Sequence, residues 1–544
     1  MRRIKNWLWG VLMALALCAS LPPSPLHVVA DDVSEPLGIS MEALNEGLET
    51  PGILRVGMEA NYAPFNWSQP NDENGAVPIS NSKGEYANGY DVQMAKKLAE
   101  LLGLKLEIVK LEWDGLPPAL ASGKVDAIIA GMSATPERKE QIDFTNNYYD
   151  SKMVLVVDKE GPYGHATSLK DFKNARVTAQ LNTFHVDLVD QIPEVKKQTP
   201  MDSFPTMISA LLADKVDAYV SEEPGAMAAV AANPRLEYIL FDEGEGFDLT
   251  DVDTGIAVGL RKNSVLTEYF NQALEQIPEE QRQALMREMV DLNLRQEETS
   301  FWTDVKRLWD IYGNQFISGA KNTMLIALIS TAVGAIIGLL VALVRALKIN
   351  NKKHPLGSFF HRVVDFILVA YIEIFRGTPM MVQAMLIFYG MKLFFDIDMT
   401  SMTAAFLIVS INTGAYLAEV FRGGIQGVDE GQSEGAKAIG MTHTQTMIYV
   451  VLPQAIISIL PTLGNEFVIN IKDTSVLNVI AVTELFFVTR SAAGSTYMTF
   501  QAFFITSVIY FVLTFVTTRL LNFLEKRMTG SDSYEVYESE QEGA

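Results

Sequence analysis

Residues 419–453 read EVFRGGIQGVDEGQSEGAKAIGMTHTQTMIYVVLP. The stretch is polar and carries glycines at 423, 424, 427, 431, 435 and 440, yet it lies between two long apolar segments. Its pattern predicts helix, turn, helix: a water-facing loop set among membrane spans. Gly435, Ala436 and Ala438 form a small-residue face that a partner backbone can approach closely, and Glu434 can meet an arginine or lysine of that partner. Gly440 permits the φ > 0 turn that leads into the second helix.

Working outward, Thr323–Val344 is 22 residues without a charge, and Met399–Ala418 and Thr499–Thr518 are 20 each. Each suffices to cross about 30 Å of hydrocarbon. Val363–Phe395 is expected to form a further span, kinked at Pro379. Ala455 to about Leu485 supplies the last, broken at Lys472-Asp473-Thr474. Arg345, Lys348, Lys352, Lys353 and Arg362 cluster between the first two spans, and Lys526 and Arg527 follow the fifth. The positive-inside rule makes both places cytoplasmic. Five spans with the N-terminus outside satisfy this, and the same count puts the polar loop in the cytoplasm.

The 544-residue chain has a mean hydropathy of +0.14, which averages two unlike halves. Residues 31–295 hold 23 Lys+Arg and 44 Asp+Glu, a net −21 against −22 for the whole chain. That acidic half is a water-soluble domain. Arg2, Arg3 and Lys5, the apolar run Leu8–Ala19 and the small residues before Asp31 have the order of a secretory signal over 1–30. The one cysteine, Cys18, lies inside it, so no disulfide is expected. The six scattered histidines show no metal-ligand spacing, and no metal is expected.

From Gly52 to about Leu294, short apolar runs alternate with amphipathic stretches, the pattern of an α/β domain. Strands are predicted at Ile53–Met58, Lys105–Leu111, Asp126–Ala130, Arg176–Ala179 and Ala218–Ser221. Asp91 and Asp114 are read as helix N-caps. The chain is expected to cross into a second lobe near Met153–Val157 and to return near Thr254–Val258. Asn66–Asn88, rich in Asn, Ser, Gly and Pro, reads as a loop on the rim of the cleft between the lobes. Pro278 opens the domain's last helix. The segment FWTDVKRLWDIYGNQF (301–316) is expected to lie at the membrane surface.

LRVGMEANYAPF (54–65), GYDVQMAKKLAELLG (89–103) and WDGLPPALASGKVDAIIAGMSATPERKEQIDFTNNYY (113–149) resemble the polar amino-acid binding proteins of ABC importers. Glu434-Gly435-Ala436, Gly440 and Leu452-Pro453 resemble the EAA signature of the permeases of such importers, and Arg376-Gly377-Thr378-Pro379 resembles their RGTP element. The chain is thus similar to fused binding-protein and permease subunits of glutamine and basic amino-acid importers of the Gram-positive type. The resemblance implies a two-lobed, type II periplasmic-binding-protein-like α/β domain followed by an all-α permease. The expected divisions are a signal peptide (1–30), a linker (31–51), a binding domain (52–295), an interfacial elbow (296–315), a permease (316–527) and an acidic tail (528–544). The first lobe takes 52–157 and 254–295, and the second 158–253.

By the same resemblance, Arg138 takes the ligand α-carboxylate with Ser133 and the backbone of Thr183. Glu222 and the Gly131 carbonyl take the α-ammonium, Tyr62, Phe65 and Trp113 wall the side chain, and Glu59 reaches its far end. The chemistry is consistent: a guanidinium fork fits a carboxylate with two parallel bonds, and a carboxylate suits an ammonium. Asn182-Thr183-Phe184 departs from the family's Gly-Thr-Thr. The implied ligand is a polar or cationic L-amino acid: arginine, lysine, histidine or glutamine. Glu434, Gly435, Ala436 and Gly440 would couple the permease, paired as a homodimer, to a separate ATPase. No G-x-x-x-x-G-K-[ST] occurs in the chain, so ATP and Mg would bind that partner and this chain would carry no cofactor and no enzymatic activity.

Two other classes are weighed against this one. A ligand-gated channel on the same binding fold would interrupt the binding domain with membrane segments and carry a filter such as TVGYG. An enzyme on the fold would need an acid/base pair where this cleft offers an anion clamp and an ammonium clamp.

Overall fold

The computed structural model describes residues 39–250, 254–293, 300–347 and 355–529. The signal segment with Cys18, most of the 296–300 linker, Lys348, Lys352, Lys353 and the acidic tail lie outside the described residues.

The soluble half is two α/β lobes. In the first, a five-stranded sheet runs in the order Lys105–Lys110, Ile53–Met58, Ala127–Ile128, Gly255–Arg261, Ile142–Asp150. Ile53–Met58 pairs in parallel with Lys105–Lys110, with Val56 opposite Ile108. Such strands are buried on both faces, which is why they read as apolar runs. In the second lobe the order is Lys196–Lys197, Arg176–Thr178, Ala218–Glu222, Met153–Asp158, Leu236–Ile239. Strand Met153–Asp158 belongs to the second sheet and Gly255–Arg261 to the first, so the chain crosses near the two expected places, but the first lobe ends before Met153 rather than at 157, because Met153–Asp158 pairs with Ala218–Glu222 and Leu236–Ile239.

Three local expectations are corrected. Asn66–Asn88 is not a plain loop: Asn66–Gln69, Val77–Pro78 and Tyr86–Asn88 form, with Asn61–Tyr62, a four-stranded sheet, and its Ser68 meets Ser495 of the membrane half rather than the cleft rim. Asp91 does not cap its helix, because Gly89 is the cap and the helix runs Tyr90–Leu102. The Asp91 carboxylate is fully buried and accepts from Asn66 Nδ2 (2.8 Å) and Tyr148 Oη (2.7 Å). Asp114 likewise caps nothing and accepts instead from Asn182 Nδ2 of the other lobe at 2.8 Å.

The second half is helical. Residues 301–316 are not a separate surface elbow but the first turns of one 46-residue helix, Phe301–Ala346. Among the described residues, four helices are long and apolar enough to cross a membrane by length and composition: Phe301–Ala346, Ser401–Gln426, His443–Ile480 and Thr499–Arg527. The second expected span is split into Pro355–Gly377 and Met380–Phe395, because Thr378 and Pro379 break the helix outright where a kink was expected. Gln383 Nε2 donates to the carbonyls of Phe375 (3.0 Å) and Thr378 (2.9 Å), repairing the break. Within the bundle Asn470 Nδ2 donates to Thr331 Oγ1 (2.8 Å) and Thr413 Oγ1 (3.0 Å), so its buried amide is partnered.

The two halves are seated on each other. The apolar core of the first lobe continues into the helical half through Phe388, Tyr389, Leu477 and Phe487. Around that core, Tyr497 Oη donates to the Ala63 carbonyl (2.9 Å) and Tyr312 Oη to that of Ser68 (3.1 Å). Lys124 pairs with Asp398 at 2.7 Å, and buried Lys110 pairs with Glu85 at 3.4 Å and donates to Ser491. Gly494 packs so closely that a Cβ there would stand 2.8 Å from the Asn61 carbonyl oxygen.

Candidate functional site

The cleft between the lobes is lined by Glu59, Tyr62, Trp113, Gly131, Ser133 and Arg138 of the first lobe and by Thr183 and Glu222 of the second. Eight of the nine expected binding residues therefore come together. Phe65 does not line the cleft: it is fully buried and stacks behind Tyr62, ring centres 5.0 Å apart. Its role in the structure is to hold the wall rather than to be it.

Each side chain is placed by local structure. Glu59 leaves the end of strand Ile53–Met58. Arg138 lies in the short helix Pro136–Gln141, whose N-cap Thr135 accepts from the Arg138 amide. Gly131 has φ = +64°, and a Cβ there would press on the Tyr62 ring at 3.2 Å, so a glycine is needed on both counts. Glu222 ends strand Ala218–Glu222.

The lobes are closed on one another. Arg138 donates from Nη1 to the Ser133 carbonyl (2.9 Å) and from Nη2 to the Asn182 carbonyl (3.1 Å), the latter across the cleft. Its guanidinium lies 5.2 Å from the centre of the Trp113 ring, a cation–π distance. Tyr62 donates to Glu222 across the cleft and stacks almost parallel on Phe204 at 4.5 Å.

The two cleft carboxyls behave oppositely. Burial, aided by the nearby charge of Glu112, pushes Glu59 up to about 8, against the pull of Arg490. Burial also opposes charge on Glu222, but the His185 ring beside it and the bond from Tyr62 outweigh that and hold it below the usual carboxylate range. The site thus biases Glu59 toward its neutral form and Glu222 toward its ionised one.

The sequence reading missed Gln180, His185 and Phe204, which also line the cleft. His185 is buried with Nε2 3.0 Å from Glu222 Oε1, yet off line, so neither ring nitrogen has a hydrogen-bond partner. The departure at Asn182-Thr183-Phe184 was the available signal that this loop differs. Asn182 itself takes φ = +58°, tolerable for asparagine.

At the other candidate site, Glu430–Ala438 forms a helix that ends on Gly440 at φ = +86°. Gly440 N donates to the Lys437 carbonyl (2.9 Å) and Met441 N to that of Ala436 (3.1 Å), the paired bonds of a Schellman ending. Glu434, Gly435 and Ala438 are exposed, whereas Ala436 is buried. The small-residue face is accordingly narrower than expected, since Ala436 packs inward.

A two-lobed cleft domain joined to a polytopic helical domain defines the class: a binding protein fused to its permease. Residues 54–289 match the family described as bacterial extracellular solute-binding proteins, family 3, and 355–530 match the binding-protein-dependent transport system inner membrane component. The glutamine transport system permease protein GlnP of Escherichia coli (strain K12) is 34% identical over 213 residues, covering 39% of this chain and 92% of that one. The arginine transport system permease protein ArtQ of Bacillus subtilis (strain 168) is 29% identical over 216 residues, 40% of this chain and 93% of that one. Among solved structures, an amino acid ABC transporter substrate-binding protein from Streptococcus pneumoniae bound to L-arginine is 28% identical, covering 46% of this chain and 97% of that one, with a TM-score of 0.38. The chain belongs to the amino-acid ABC importers, as a fused binding protein and multi-pass membrane permease.

Proposed function

We propose that the cleft captures a polar or cationic L-amino acid, arginine, lysine, histidine or glutamine, on the outer side of the membrane and releases it into a permease homodimer. Arg138 and Ser133, with the backbone of Thr183, take the α-carboxylate, and Glu222 with the Gly131 carbonyl takes the α-ammonium. Trp113 and Tyr62 flank the side chain, and Glu59 meets its end. The observation that carries this reading is the gathering of one guanidinium, Arg138, and two carboxyls, Glu59 and Glu222, in a single closed cleft. The relatives named for glutamine and arginine support the same ligand range.

A separate ATPase, binding ATP and Mg, docks on the exposed helix Glu430–Ala438 from the cytoplasmic side, with Glu434 and Gly435 in contact and Gly440 setting the helix end. The same reading takes the order of the chain as signal, outer binding domain (52–295), permease (316–527) and cytoplasmic tail. Thermal-shift screening of the full chain in detergent against the twenty amino acids tests the ligand class. A shift by acidic or purely aliphatic amino acids alone would overturn it.

A further inference from the structure

Helix Leu485–Thr496 of the permease half carries Arg490, and its two guanidinium nitrogens hold different lobes of the binding domain. Nη2 is 3.1 Å from Glu112 Oε2 in the first lobe, and Nη1 is 2.5 Å from Asp202 Oδ2 in the second. Each carboxylate sits beside a cleft wall. Glu112 precedes Trp113, and Asp202 lies two residues before Phe204, the ring stacked on Tyr62. Asp202 is held in place by bonds to its other oxygen from Thr206 Oγ1 (2.9 Å) and Ser203 Oγ (3.3 Å). Glu112 also accepts from Asn478 Nδ2 of the permease at 3.5 Å.

The other hydrogen bonds and ion pairs of the seat come mostly from the first lobe. Ala63, Ser68, Lys110 and Lys124, all first-lobe residues, bond to the permease, whereas the second lobe's polar links to it are Asp202 and the Pro205 carbonyl, 3.4 Å from Thr499 Oγ1, beside the packing of its helix Phe204–Leu212 on helices Leu485–Thr496 and Thr499–Thr529. First-lobe contacts are indifferent to whether the cleft is open. The Arg490 fork is not: a hydrogen bond fades beyond about 3.5 Å, so a lobe opening of even about 2 Å removes its Asp202 limb while the Glu112 limb stays.

We propose that Arg490 is the positioning residue through which the permease distinguishes the closed binding domain from the open one, because its fork is complete only when Glu112 and Asp202 are brought together by closure. Ligand capture and seating on the permease are then linked by one side chain. The linkage is reciprocal: seating favours closure as much as closure favours seating.

The test uses the full chain in lipid nanodiscs, with Cys18 replaced by serine and spin labels at Glu100→Cys in the first lobe and Lys215→Cys in the second, reading the lobe-to-lobe distance distribution by pulsed electron resonance. Samples are ligand-free and with millimolar L-arginine or L-glutamine. Arg490→Gln should lower the ratio of closed to open chains about tenfold, the effect of one charge-assisted hydrogen bond. Asp202→Asn, on a half-exposed side chain outside the membrane where folding is not at stake, should do the same, and the double variant should add nothing. An unchanged distribution in either single variant, additive effects in the double, or a wild-type chain with no closed population would each overturn the proposal. If neither amino acid shifts the wild-type distribution, the ligand assignment above fails, while the comparison between variants still decides the role of Arg490.

Discussion

Glu59 should make the choice between a cationic and a neutral ligand depend on pH. The residue is 3% exposed and burial pushes its carboxyl up to about 8. Around a neutral side chain such as that of glutamine it therefore stays protonated below that pH. Around a guanidinium the opposite charge keeps it ionised far lower. Exchanging one bound ligand for the other moves one proton, and the ligand-free state cancels from the ratio of the two affinities. That ratio, arginine over glutamine, should rise about tenfold per pH unit, or about 1.4 kcal/mol. Between pH 6 and pH 8 it should grow by about 50-fold, about 2.3 kcal/mol, and then level off. Titration calorimetry of the full chain at pH 6, 7, 8 and 8.5 gives both affinities, and repeating it in buffers of different ionisation enthalpy counts the proton. Glu59→Gln should flatten the dependence. A wild-type ratio constant within about threefold over this range would refute the reasoning, because a carboxyl with this environment cannot touch both ligands and leave their ratio unmoved.

On stability the trend is opposite: the raised value of Glu59 means that ligand-free stability declines as pH rises from about 4.5 to about 8, so Glu59→Gln should give a melting temperature less sensitive to pH over that window. Arg138→Ala should weaken amino-acid binding by about 3 to 5 kcal/mol while the domain stays folded, since a ligand carboxylate would be left buried without its partner; near-normal affinity by calorimetry would count against the assigned role. Gly494→Val introduces a side chain where a Cβ alone would already press on Asn61. Overpacking of about 1 to 3 kcal/mol should loosen the seat, and uptake in proteoliposomes should fall with ligand affinity little changed. Gly435→Leu meets open space within this chain and should fold normally yet lose co-purification of the ATPase, whereas Gly440→Val adds about 1 to 2 kcal/mol of backbone strain at φ = +86°. If both variants transport at wild-type rates, this loop is not the coupling element.

The sequence by itself determined the two-domain order, the two-lobed α/β fold with its crossings near Met153 and Thr254, and most of the cleft, because those features are local. Buried strands show as apolar runs, uncharged 20-residue stretches show as spans, and the motif around Arg138 is contiguous. Gly440 was legible for the same reason, a single residue fixing a single turn. What the tertiary structure decided are the features that depend on pairs distant in sequence. Phe65 was demoted from the cleft because Tyr62 stands in front of it, and His185 and Phe204 entered it because the second lobe folds over. Asp91 and Asp114 looked like caps, but long-range donors from Asn66, Tyr148 and Asn182 claim their oxygens. The Arg490 fork has no sequence signal at all: its partners are 378 and 288 residues away, and only the seating of one domain on the other brings the three charges together.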